Sequence, residues 1–149
     1  MTVQIRKMQA ADKDAVISMM RVFYASPAVH SNGSEAIFQA DFDECTKGSP
    51  YAEGYAFDVD GELAGYGMLA FGYSTEFGKR AVWIEDVYVL EKFRGQGIGS
   101  AFLKFVEKAF PECLIRLEVE RENGAAMHVY QKSGFKELPY LEMYRNAKA

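Results

Sequence analysis

Apolar and polar residues alternate in TVQIRKM (2–8), which predicts a first strand. Asp12 then sits where a helix cap belongs. A stripe of Val16, Met19, Met20 and Phe23 predicts a helix running to Tyr24. SPAVHSNGS (26–34) reads as a loop, and Ser34 as the cap of a second helix to about Lys47, with Ile37, Phe38 and Phe42 inward. YAFDV and ELAGYGMLAF flank an Asp-Gly pair within 55–71, the pattern of a tight antiparallel hairpin. AVWIEDVYVL (81–90) is rich in β-branched and aromatic residues and predicts a further strand. Ile98, Phe102, Phe105, Val106 and Ala109 make the stripe of a helix over 98–110, stopped by Pro111. CLIRLEVE (113–120) predicts a strand. GAAMHVYQKSG (124–134) predicts a short helix closed by Gly134. Two short strands, near FKEL and LEMYR, end the chain.

The order β-α-α-β-β-β-α-β-α-β-β is that of a mixed α+β domain. The expected sheet has six to seven strands, is mostly antiparallel, and carries about four helices on its two faces. The segment 81–120 should form a parallel, right-handed crossover. A length of 149 residues fits one domain, 1–149. A net charge of −4 and a pI near 5.3 disfavour a nucleic-acid partner. Cys45 and Cys113 make no disulfide framework, and no His/Cys/Asp cluster has metal spacing. No segment approaches the roughly 20 apolar residues of a membrane span, and no leader pattern opens the chain. A cytoplasmic protein with reduced thiols and no membrane partner is expected.

Candidate chemistry concentrates in FRGQGIGS (93–100). Glycines before a helix leave amides free to meet a ligand, and the helix terminus favours negative charge. Gly95, Gln96, Gly97, Ile98, Gly99 and Ser100 therefore read as an anion seat, with Arg94 adding a permanent charge. A Walker loop would need a lysine after Gly99, and none is there. The dinucleotide pattern GxGxxG is matched by Gly95 and Gly97, with Ser100 in third place and Glu118 or Glu120 downstream. The polar EKFR between strand and glycines speaks against that reading. So does the small number of later strand–helix units.

VYVLEKFRGQGIGSAFL resembles the acetyl-CoA-binding motif of the GNAT superfamily of N-acetyltransferases, with Arg94, Gly97 and Gly99 in its fixed places. NGAAMHVYQKSGF resembles that family's second motif through Asn123, Ala126, Tyr130, Gly134 and Phe135. The resemblance spans about 55–137 and implies a GNAT fold and acetyl transfer from acetyl-CoA to an amine. It implies Glu85 as the proton acceptor, through water, with Asp86 as the second candidate. It implies Tyr130 as the acid for the departing thiolate. A strand amide among Val87, Tyr88 and Val89 would face the oxyanion, and the pantetheine arm would lie beside them. Asn123 would hold the cofactor arm, cap its helix, or do both. His128 and His30 read as surface residues and both cysteines as inert. Glu35, Asp41, Asp43, Glu44, Glu53 and Glu76, with Phe23, Tyr24, Phe38, Tyr51 and Tyr73, stand where the acceptor enters. They point to a polyamine or another small amine. A non-catalytic acyl-CoA sensor and an NAD(P)-binding domain stay open as alternatives. Tyr140 and Tyr144 in the last expected strand point to a homodimer.

Overall fold

A computed structural model of the chain describes residues 1–148. Its elements are β1 (Val3–Lys7), α1 (Lys13–Tyr24), α2 (Glu35–Thr46), β2 (Ala52–Val59), β3 (Glu62–Ser74) and β4 (Lys79–Val89), then α3 (Ile98–Ala109), β5 (Leu114–Leu117) and α4 (Gly124–Lys132). Short 3-10 turns precede α1 (Ala10–Asp12) and follow β4 (Glu91–Phe93). The strands lie in the order β1-β2-β3-β4-β5. The first four are antiparallel, and β5 runs parallel to β4, as a crossover through α3 requires. The Asp-Gly hairpin forms as read. Asp60 and Gly61 have φ of 50° and 85°, and Val59 pairs with Glu62. Positive φ at both central residues matches the twist of the flanking strands.

Two cores cover the sheet. On one face α3 packs Ile98, Phe102, Leu103 and Val106 against Phe57, Leu69, Val82 and Ile84, with Val129 and Tyr130 of α4 at the edge. On the other, Val16, Ile17 and Met20 of α1 and Phe38 and Phe42 of α2 meet Tyr66, Met68 and Tyr88. Helices thus flank both faces, as expected. Two stripe positions differ from expectation. Ile37 is half exposed and Ala109 is exposed, because each lies on the rim of its helix's packed face.

Asp12 does not cap α1. Its carboxylate instead takes a bidentate pair of hydrogen bonds from Arg6 (2.8 and 2.9 Å) and one from the Gln9 amide (2.7 Å). The Arg6 contact holds its pKa below the usual carboxylate range. Ser34 does cap α2, accepting from Ile37 N at 3.2 Å.

The sheet has five strands, not six or seven. FKEL and LEMYR form no strand, and residues 136–148 carry no regular secondary structure. A strand exists only through a partner ladder. Here β5 stops at Leu117 and Pro139, which cannot donate, interrupts the tail.

One irregularity sets up the site. Met68 pairs with Asp86, but Leu69 pairs with Ile84. Glu85 is therefore an extra residue in β4, a β-bulge. Before it, Val82 and Ile84 face α3. After it, Val87 and Val89 face α3, and Tyr88 turns to the α1–α2 side.

Candidate active site

The anion seat is built at the mouth of α3. Gly95 and Gly97 have φ of 77° and 80°, a region that L side chains avoid. Gly97 is the N-cap of α3 and no side chain caps that terminus, so its first amides point into open space. A Cβ at Gly95, Gly97 or Gly99 would meet no atom within 4 Å. Val89, Phe93, Arg94, Ile98 and Ser100 complete a groove of about 180 Å³, with Val129 as its far wall. Arg94 donates from Nε to the Val89 carbonyl at 2.8 Å, and its guanidinium lies 5.4 Å from the Tyr88 ring centre. Strand end, cation and glycines are tied into one unit. Gln96 differs: its side chain turns back to the Lys92 carbonyl at 3.4 Å, outside the groove.

A second pocket of about 60 Å³ opens between β4, β5 and α4. Glu85, Val87, Glu118, Glu120, Asn123 and Tyr130 line it, with Phe23 and Ala28 from the α1 side. Val129 lines the glycine groove and the next residue, Tyr130, lines this pocket, so both spaces border α4. Burial raises the Tyr130 phenol, and the ring packs edge-on to Phe135 at 6.0 Å. Asn123 caps α4, its Oδ1 accepting from Ala126 N at 3.3 Å. Ala126 lines neither space, and its amide is taken up by that cap. Tyr88 lines neither space, since its ring is buried on the other face.

Burial, then the nearby Glu142 and Asp41 carboxylates, raise Glu85 above the ordinary carboxylate range. Asp86 turns inward. It accepts from the Tyr24 and Tyr66 hydroxyls, each at 2.9 Å. Burial outweighs those donors and pushes it up to about 6. Two adjacent carboxylates thus divide, one lining a pocket and one locked among tyrosines. The alternation of side chains hides this in the sequence, because a bulge without Gly or Pro leaves no mark.

The acids expected around the acceptor are mostly engaged elsewhere. Glu35 pairs with Arg21, Asp43 with Lys13, Glu44 with Lys47, Glu53 with Tyr55 and Lys7, and Glu76 with Tyr140. Asp41 has no ion pair among the described residues, is half-buried and raised by that burial, and its charge acts on both Glu85 and Asp86. Sequence reasoning missed Glu118 as a pocket residue. Its carboxyl shares a hydrogen bond with Glu142 and is raised to about 7. It also missed a partner for His30, whose Nε2 lies 2.8 Å from Glu120. Both contacts join segments far apart in the chain and leave no local signal. His128 is exposed, and burial pushes the Cys45 thiol up to about 12, so both stay bland. No helix of the described residues is long and apolar enough to cross a membrane.

The polar 3-10 turn between β4 and the glycines and the mixed, largely antiparallel sheet do not fit a doubly wound dinucleotide fold. They fit an acyl-CoA-binding architecture. Residues 17–135 match the model of the Acetyltransferase (GNAT) family, and the chain belongs to that family. A thialysine N-epsilon-acetyltransferase from Bos taurus is 39% identical over 83 residues, covering 54% of this chain and 48% of that protein. The chain thus spans about half the length of that relative. An N-alpha-acetyltransferase from Sulfurisphaera tokodaii is 35% identical over 101 residues, 60% of each chain. A possible acetyltransferase from Clostridium difficile has the same fold, with a TM-score of 0.82 at 18% identity over 100% of this chain and 99% of that one. An aminoglycoside N-acetyltransferase in complex with CoA gives a TM-score of 0.79 at 18% identity, over 97% and 95%.

Proposed function

We propose that this chain transfers the acetyl group of acetyl-CoA to a primary amine by direct attack. One observation carries the reading: Glu85 on β4 and Tyr130 on α4 line a single pocket, and the same strand and helix also border the glycine groove.

The residues present suit the coenzyme. Free amides at the mouth of α3, glycines without neighbours and the Arg94 charge make a seat for its diphosphate. When bound there, acetyl-CoA supplies an activated acyl group as a thioester. Val87 and Val89 flank the path from groove to pocket, where a strand amide is positioned to donate to a developing oxyanion. An alkyl ammonium, with a pKa near ~10.4, must lose a proton before it attacks. Glu85 accepts that proton through water. Its raised pKa makes it a better base than an exposed carboxylate. Tyr130 gives its hydroxyl proton to the departing sulfur. Its phenol has no partner among the hydrogen bonds of the described residues, so the proton is available.

The finer reading of the acceptor is a small polyamine or a similar amine. Glu85, Glu118 and Glu120 with the ring of Phe23 form a wall suited to a flexible cation. The relatives named for thialysine and N-alpha acetylation support an amine in general. Turnover of a panel of diamines, amino acids and peptide N-termini with acetyl-CoA tests both levels. Turnover of other amines with none of any diamine would remove the polyamine reading alone. Tight CoA binding without turnover of any amine would favour the sensor instead. In Tyr130→Phe, kcat should fall by roughly 10²-fold or more while CoA affinity holds.

A further inference from the structure

Residues 26–34 arch from the end of α1 to the start of α2, and both feet of the arch are fixed. Ser26 donates from its amide and its hydroxyl to the Phe23 carbonyl, and Tyr24 donates to Asp86 at 2.9 Å. At the other foot Ser34 caps α2. Gly33, at φ 65°, lies so close to Phe38 that a Cβ would stand 2.6 Å from the ring. The crown between the feet is loose. Among the described residues, 27–33 make no main-chain hydrogen bond to another element, and none belongs to either core. Pro27, Ala28, His30, Ser31 and Asn32 are exposed. One charged contact ties the crown to a distant segment: His30 Nε2, 2.8 Å from Glu120.

That contact spans the candidate active site. Ala28 of the crown and Glu120 beyond β5 both line the pocket of Glu85 and Tyr130. With the crown down, the pocket measures about 60 Å³. Ligand sites usually run to roughly 300–1,000 Å³, so an acceptor needs more room than the closed arch leaves. Lifting the crown uncovers no core residue, so little besides the His30 contact opposes it. The His30 side chain is 92% exposed and that of Glu120 30%. A contact so open to water shifts an equilibrium by about two- to fivefold. Glu120 stands with Glu85 and Glu118 on the pocket wall, and their shared negative field draws an incoming ammonium to the same carboxylate.

We propose that residues 27–33 form a strap across the acceptor pocket, pinned by His30 to Glu120, and that the acceptor amine enters by taking the place of His30 on that carboxylate. His30 thereby sets the apparent affinity for the acceptor without touching the reacting atoms. A site that is open for only a fraction of the time binds more weakly by that fraction. The inference rests on the acetyl-transfer reading, and its test separates the two.

Steady-state kinetics with the amine of the panel that turns over fastest provide the first arm. His30→Ala should lower the KM for that amine about two- to fivefold and leave kcat and the KM for acetyl-CoA as they are. On a Glu120→Gln background the same change should alter nothing, because the pin is already gone. An unchanged or raised KM in His30→Ala, or a similar fall on both backgrounds, overturns the strap. If the parent turns over no amine, the acetyl-transfer reading fails, and the strap is judged on the free protein by nuclear magnetic resonance. There the His30 imidazole nitrogens should shift between the parent and Glu120→Gln, and coincident signals would overturn the pin.

Discussion

Asp86→Asn probes the buried side of the bulge. Asp86 is 3% exposed, and its donors among the described residues are the neutral hydroxyls of Tyr24 and Tyr66, at 2.9 Å each. Burial raises it from 3.8 to about 6. A rise of about two pH units, at 1.36 kcal/mol per unit, corresponds to about 3 kcal/mol. The folded state holds the proton more tightly than the unfolded chain does. The associated stability is therefore complete below about pH 4 and is lost as pH rises through about 6. Asn has nearly the same shape and does not titrate. Urea denaturation of both proteins, followed through Trp83 emission, cancels the titrations they share. From about pH 4 to pH 7.5 the stability of Asp86→Asn relative to the parent should rise by about 3 kcal/mol. A difference that stays constant with pH would mean that Asp86 is ionised in the fold at no penalty, and the account of the bulge would fail.

Glu85→Gln should remove the acid limb of the kcat/KM profile, a limb displaced above the ordinary carboxylate range because burial raises Glu85. A retained limb would exclude Glu85 as the base. Arg6→Ala strands the half-buried Asp12 and Asp58 carboxylates and should destabilise by about 3 kcal/mol in chemical denaturation. Asp12 is depressed in the fold, so that deficit should shrink as pH falls below the usual carboxylate range. Gly97→Ala forces an L residue to φ 80° and should lower stability by about 1–2 kcal/mol, with weaker CoA binding by calorimetry. Ser34→Ala removes the cap of α2 and should lower stability by about 1 kcal/mol.

Local chemistry made much of this fold legible. Asp60-Gly61 fixed a hairpin, Ser34 a helix start and Gly134 a helix end, because each acts within a few residues. The glycine groove was legible for the same reason: its geometry belongs to one turn and one helix terminus. Contacts between distant segments were not. Asp12 looks like a cap until Arg6, held on β1 by Asp58 from across the sheet, claims it. Glu118 gains its place in the pocket from β5 lying beside β4, and its raised pKa from Glu142. The tail reads as two strands because alternation records what a strand would bury, not whether a partner lies alongside. Glu85 and Asp86 were both legible as candidates, yet their division rests on one unpaired residue in a ladder.

Gly99 sits in the first turn of α3 with ordinary helical backbone and nothing nearby to hit. Alanine there would favour the helix by up to about 1 kcal/mol. Nothing in the chain's own packing opposes that change, so a screen that rewards heat resistance should accept it. A screen that rewards coenzyme capture should reject it. On the proposed coenzyme seat, folding and ligand uptake would pull in opposite directions at this position.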